Sequence, residues 1–146
     1  MRITDVLRHK GNTVATIAPD ALVGDLLALL EEHNIGAVVV TERGSNADNV
    51  VGIVSERDIV RRLNARGAAL LTATVGEIMT STVFSCAPSD TVDSLAETMT
   101  ERRIRHVPVL VDGRLVGIVS IGDVVKSRIS QLEADREQLA SYIAQG

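Results

Sequence analysis

Two heptapeptides carry the residue types in this chain best suited to hold a polar ligand: Gly52-Ile53-Val54-Ser55-Glu56-Arg57-Asp58 and Gly117-Ile118-Val119-Ser120-Ile121-Gly122-Asp123. In each, a glycine sits within an apolar run, where it costs stability unless a backbone or a ligand must come close. A serine stands where the run ends, and an aspartate follows three residues on. If a helix starts at the serine, its free N–H groups and positive dipole end suit a phosphate, with the Ser55 or Ser120 hydroxyl as an added donor. A carboxylate one turn away, Asp58 or Asp123, repels phosphate but accepts two hydrogen bonds, which suits a ribose diol. Together the pair describes a nucleotide. The same Ser-x-x-Asp spacing is that of a capping box, in which both side chains satisfy orphan N–H groups and no ligand is needed. The residues alone allow both readings.

These heptapeptides belong to a longer repeat. Residues 51–60 recur at 116–125 with seven of ten pairs identical, the mark of a duplicated supersecondary unit. Upstream, Ala18-Pro19-Asp20 matches Ala87-Pro88-Ser89 at an offset of 69. Asp20 and Ser89 are plausible N-caps for helices with apolar residues at Val23, Leu26, Leu27 and Leu30, and at Val92, Leu95, Ala96 and Met99. β-Branched runs at 35–40 and 104–109 predict strands. A turn follows, tight at Asp112-Gly113 and long and polar over 42–49. Second hairpin strands are expected at 51–54 and 116–119, further strands at 13–17 and 82–86, and short leading helices at 4–7 and 74–79.

Each unit therefore reads β-α-β-β-α, giving an α+β fold of two pseudo-twofold-related repeats, with 64–71 as linker. The chain divides into 1–71, 72–129 and a C-terminal helical extension, 130–146. One unit alone can hardly hide its apolar faces, so the two are expected to pack sheet to sheet with a shared groove along the axis.

Composition narrows the function. Hydrophobic residues make up 45% of the 146 positions, so the chain folds. Its only aromatics are Phe84 and Tyr142, which argues against a stacking platform for single-stranded nucleic acid. A net charge of −4 argues against nucleic acid or an anionic membrane as partner. The lone Cys86 permits no internal disulfide and reads as a small buried hydrophobe in a reducing compartment. Met1-Arg2-Ile3-Thr4-Asp5 lacks an apolar signal core, and no apolar run approaches about 20 residues, so a soluble, cytoplasmic protein is expected. His9 and His33 read as surface residues. With no Gly-x-x-x-x-Gly-Lys loop, Cys-His pair or acidic metal cluster, no catalytic or metal-binding residue is assigned.

Over residues 4–129 the chain resembles a tandem pair of CBS domains, the cystathionine β-synthase repeat, also called a Bateman module. The resemblance rests on the two Gly-Ile-Val-Ser-x-x-Asp motifs, on Arg105-His106-Val107-Pro108-Val109, and on Glu77-Ile78-Met79-Thr80. It implies a regulatory sensor of an adenine nucleotide (AMP, ADP, ATP or NAD) and no enzyme. It implies that Asp58 and Asp123 hold ribose hydroxyls, that Ser55 and Ser120 approach phosphates, and that aliphatic side chains around Val14 and Val83 flank the adenine. Arg105 and His106 would reach phosphates from the central groove. Arg57 is a further candidate, for which Gly122 offers no counterpart.

Other readings of these residues remain open at this point. Arg102 and Arg103 also suit a solvated helix end, and His106 also suits a hydrogen-bonded structural role. The two sites are expected to be unequal. Apolar residues Val125, Ile129, Leu132, Leu139 and Ile143 form a heptad-like seam, with Arg136 in one slot, which by itself suits either packing back on the domain or joining two copies, and the resemblance implies the second, a homodimer. The output would pass to an unidentified effector protein, and the alternative to nucleotide sensing is a ligand-independent scaffold.

Overall fold

The computed structural model describes residues 1–11, 14–42 and 49–145. In order the chain forms α1 (Ile3–Lys10), β1 (Thr16–Ile17), α2 (Val23–His33), β2 (Ala37–Thr41), β3 (Val50–Ser55) and α3 (Glu56–Arg66). A 3-10 turn, Gly67–Thr72, leads to α4 (Val75–Ile78), α5 (Val92–Arg102), β4 (His106–Val111), β5 (Arg114–Ser120) and α6 (Ile121–Gln145). The two repeats are plainly visible. In the first, β1 runs parallel to β2 and β2 antiparallel to β3. In the second, β4 and β5 form the equivalent hairpin, turned at Asp112 and Gly113, whose φ angles of 51° and 78° fit the left-handed pair a two-residue hairpin needs. Both hairpins break register at the same place, Val40/Thr41 and Val109/Leu110. The long turn expected at 42–49 lies mostly outside the described residues.

Val38 and Val40 enter one apolar cluster with α2, and Val107 and Val109 enter another with α5. Val39, fully buried between Val38 and Val40, points to the other face of its sheet. The leading helices are exchanged between the repeats. Ile3, Val6 and Leu7 of α1 belong to the second cluster, whereas Val75 and Ile78 of α4 belong to the first. Each repeat thus completes its core with a helix that precedes the other in sequence.

Several local expectations are corrected. Asp20 and Ser89 are not the N-caps; α2 and α5 are preceded by Leu22 and Thr91 instead, and only Thr91 caps with its side chain. The segment 64–71 is no loose linker. It completes α3 and forms most of the 3-10 turn, because Leu70, 1% exposed, is drawn into the first core. The strand expected at 82–86 shrinks to one bridge, in which Cys86 N–H donates to the Pro108 carbonyl (3.0 Å) and Leu110 N–H to that of Cys86 (2.9 Å). The next rung would need an N–H at residue 108, and proline has none. Val39, its counterpart, has one, and β1 is correspondingly longer. Cys86 is buried as expected, its thiol pushed up to about 12 by burial, with Asp90 adding to the effect.

Candidate functional site

β3 stops at Ser55, whose extended backbone (φ −132°, ψ 168°) sets it as N-cap of α3. Ser55 N–H donates to Asp58 Oδ2 at 2.8 Å, Ser55 Oγ donates to the same oxygen at 3.1 Å, and Asp58 N–H donates back to Ser55 Oγ at 3.4 Å. β5 and α6 repeat the arrangement: Ser120 N–H donates to Asp123 Oδ2 at 2.8 Å, and Asp123 N–H to Ser120 Oγ at 3.1 Å. Capping is therefore real in both copies. Both caps are made through Oδ2 of the aspartate.

The motif glycines are explained by packing rather than by a ligand. A Cβ on Gly52 would stand 2.5 Å from Met79 Sδ and 3.0 Å from the Thr80 carbonyl oxygen. One on Gly117 would stand 2.6 Å from Leu7 Cδ2. The bodies that come close belong to the exchanged helical segments. Beside Gly52, Ile53 and Thr80 trade backbone hydrogen bonds of 3.0 and 2.9 Å, which ties α4 to β3.

A cavity of about 1320 Å³ opens between the repeats. Ser55, Arg57, Asp58, Val83, Arg105 and His106 all line it, so six of the residues singled out in the sequence come together. Ser120, Asp123 and Val14 do not line it. Sequence reading missed Thr80, Thr82, Phe84 and Arg61 in the lining, and Arg103, read as a helix end, lines it too. Arg103 does end its helix, as a left-handed C-cap with φ 56°. Arg102 sits 4.8 Å over the Phe84 ring, a cation–π contact at the cavity wall. Five arginines (57, 61, 102, 103, 105) face two carboxylates, Glu56 and Asp58, so the lining is cationic in a chain whose net charge is −4.

His106 marks the junction. It stands opposite Ser120 in the β4–β5 hairpin, and its Cε1 lies within 3.8 Å of where a side chain on Gly36 would begin. Burial pushes its pKa below the ordinary value, with the Lys10 charge adding to this and Asp123 and Glu56 opposing it. Lys10 is the largest omission from the sequence reading. Its Nζ donates to Asp123 Oδ2 at 2.6 Å and to the Ile118 carbonyl at 2.9 Å. Burial pushes the Asp123 carboxyl up, but the Lys10 bond and the Ser120 N–H outweigh it and hold the group below its ordinary range. Among the described residues no group of three or more His, Cys, Asp or Glu is placed to hold a metal ion, and no helix is long and apolar enough to cross a membrane.

Comparison with known proteins decides the family. The CBS-domain family model matches residues 3–65 and again 75–130. The chain belongs to the CBS-domain family. The mitochondrial CBS domain-containing protein CBSX3 of Arabidopsis thaliana is 33% identical over 150 residues, covering 99% of this chain and 72% of that protein. Among solved structures, a CBS-domain containing protein from Agrobacterium tumefaciens superposes with a TM-score of 0.81 at 47% identity, covering 87% of this chain and 92% of the other. The CBS domain pair of protein MJ0100, solved in complex with 5-methylthioadenosine and S-adenosyl-L-methionine, gives a TM-score of 0.76 at 26% identity over 90% of this chain and 98% of its own. The two CBS repeats here therefore form a CBS pair, and the cavity lies between them.

Proposed function

We propose that this CBS pair is a regulatory module, not an enzyme, that binds a phosphorylated adenosine ligand (AMP, ADP, ATP or NAD) between its repeats. The observation that carries the reading is the placement of Ser55 and Asp58 on a cavity ringed by arginines. Asp58 accepts from the ribose diol, Ser55 and the start of α3 meet phosphate, and Val83 and Ile53 offer aliphatic surface to the purine. At about 1320 Å³ the cavity exceeds the roughly 300–1,000 Å³ of ordinary ligand pockets, leaving room for a polyphosphate or a second nucleoside. MJ0100 supports the adenosine part of the reading. The charge here favours phosphate over its ligands, since methylthioadenosine is neutral and S-adenosylmethionine carries a sulfonium. Occupancy shifts the relative tilt of the repeats, and a partner protein or a second copy reads the change.

Calorimetry with AMP, ATP, NAD, methylthioadenosine and S-adenosylmethionine tests this. The phosphorylated ligands should bind, ATP at least about tenfold tighter than the two sulfur compounds. Asp58→Ala should weaken ATP by about 10- to 100-fold, the value of hydrogen bonds to a charged group. A panel in which no phosphorylated ligand binds sinks the reading. The ligand-independent scaffold is favoured by one observation, the completeness of both caps without a ligand. It requires that no nucleotide raises the melting temperature, whereas a true ligand at 100 times its Kd adds about 2.7 kcal/mol.

A further inference from the structure

We propose that Lys10 decides how many nucleotides one chain holds: its ammonium occupies the carboxylate of the second motif, so only the first motif is open to ligand. The inference rests on the nucleotide reading above and adds the stoichiometry.

The two exchanged helices fix the argument. Leu7 meets Gly117 as Met79 meets Gly52, so α1 and α4 are equivalent at an offset of 72. α4 stops at Ile78, and the chain then pairs Thr80 with Ile53 through the backbone, leaving Thr80 on the cavity wall. α1 instead runs on to Lys10. Ile118 is the repeat counterpart of Ile53, and its carbonyl, like that of Ile53, takes a hydrogen bond from the end of the exchanged segment. The donor is Lys10 Nζ at 2.9 Å, in place of a backbone N–H. The same ammonium reaches Asp123 Oδ2 at 2.6 Å.

Lys10 therefore does two things at once. It anchors α1 to β5, and it neutralises the group that would take a ribose diol. The pair is only partly exposed, with Lys10 and Asp123 side chains at 35% and 23%. The pair joins two full charges, whereas a ribose hydroxyl would bring a neutral donor to the same carboxylate, so a sugar cannot displace the ammonium on equal terms. Asp58, by contrast, receives only its own cap among the described residues, and it faces the cavity.

The test is the stoichiometry of ATP binding by calorimetry on the full chain, with folding checked by circular dichroism. Wild type should bind one ATP per chain, weakened about 10- to 100-fold in Asp58→Ala. Lys10→Gln should bind two, the second lost again in Lys10→Gln/Asp123→Asn. Lys10→Met, which keeps the aliphatic stem without a donor, should behave as Lys10→Gln and covers the case where glutamine re-forms the bond to Ile118. Two sites in wild type, one of them lost in Asp123→Asn, overturn the proposal, as does a single site in both Lys10 variants. If wild type binds none but Lys10→Gln binds one ATP that needs Asp123, the first-site reading fails and the role of Lys10 stands. No binding in any variant ends both.

Discussion

Asp58 and Asp123 begin equivalent helices, each accepting the N–H of its own serine at 2.8 Å, yet their surroundings have diverged. Asp58 looks across a cavity at Arg105 and His106 of the other repeat. Asp123 looks at Lys10, and the residues of the first repeat at the places of Arg105 and His106 are Gly36 and Ala37. Duplication copied the cap, which depends only on residues three apart. It did not copy the opposite wall, which comes from the partner repeat and the exchanged helix. A local device survives duplication unchanged, while a site shared between copies is free to differ on its two sides.

The largest effect expected from this comparison is at the motif glycines. Gly52→Ala drives a methyl into Met79 and into the Thr80 carbonyl, which is held by its pairing with Ile53. Gly117→Ala meets Leu7 first, with side-chain atoms and no backbone among its three nearest neighbours. Overpacking costs roughly 1–3 kcal/mol, so Gly52→Ala should lose about 2–3 and Gly117→Ala about 1 kcal/mol in urea unfolding. Equal losses would break the claim that the two helix ends are held differently.

The last helices of the repeats differ next. α3 ends after 11 residues, at Arg66, while α6 runs for 25 and leaves Ile129, Leu132, Leu139 and Ile143 more than half exposed. We propose that this seam joins two copies. Leu132→Asp should then weaken self-association at least about tenfold, worth about 1.4 kcal/mol, in sedimentation equilibrium, whereas Leu63→Asp on α3 should not. A wild-type chain that stays monomeric sinks the idea.

The smallest effect concerns His106. Burial holds its folded pKa below 6.5, so the unfolded chain binds the proton more readily. Stability is therefore fully present above pH 6.5 and is lost as pH falls through the lower folded value. Thermal melts from pH 8 to 5 should show this modest loss, and His106→Asn should remove it. An unchanged profile in the variant would place the acid sensitivity elsewhere.

Much of the fold was legible because its signals are local. The repeat, the tight turn at Asp112-Gly113, the caps at Ser55 and Ser120 and the apolar faces of α2 and α5 each follow from residues a few positions apart. Residues 64–71 read as a linker between the repeats, and only the first core explains the burial of Leu70. The shortened strand at Cys86 follows from Pro108, a residue 22 positions away that matters only once the two segments are neighbours.

By itself, then, the sequence determined that the molecule is one unit written twice and that each copy starts a helix with a serine and an aspartate. Tertiary structure alone decided which aspartate lines the cavity and which meets Lys10. The exchange of α1 and α4 carries Lys10 across 113 positions to Asp123. No periodicity or spacing encodes that meeting, because it arises from the packing of Leu7 on Gly117 and the extra turn of helix that follows.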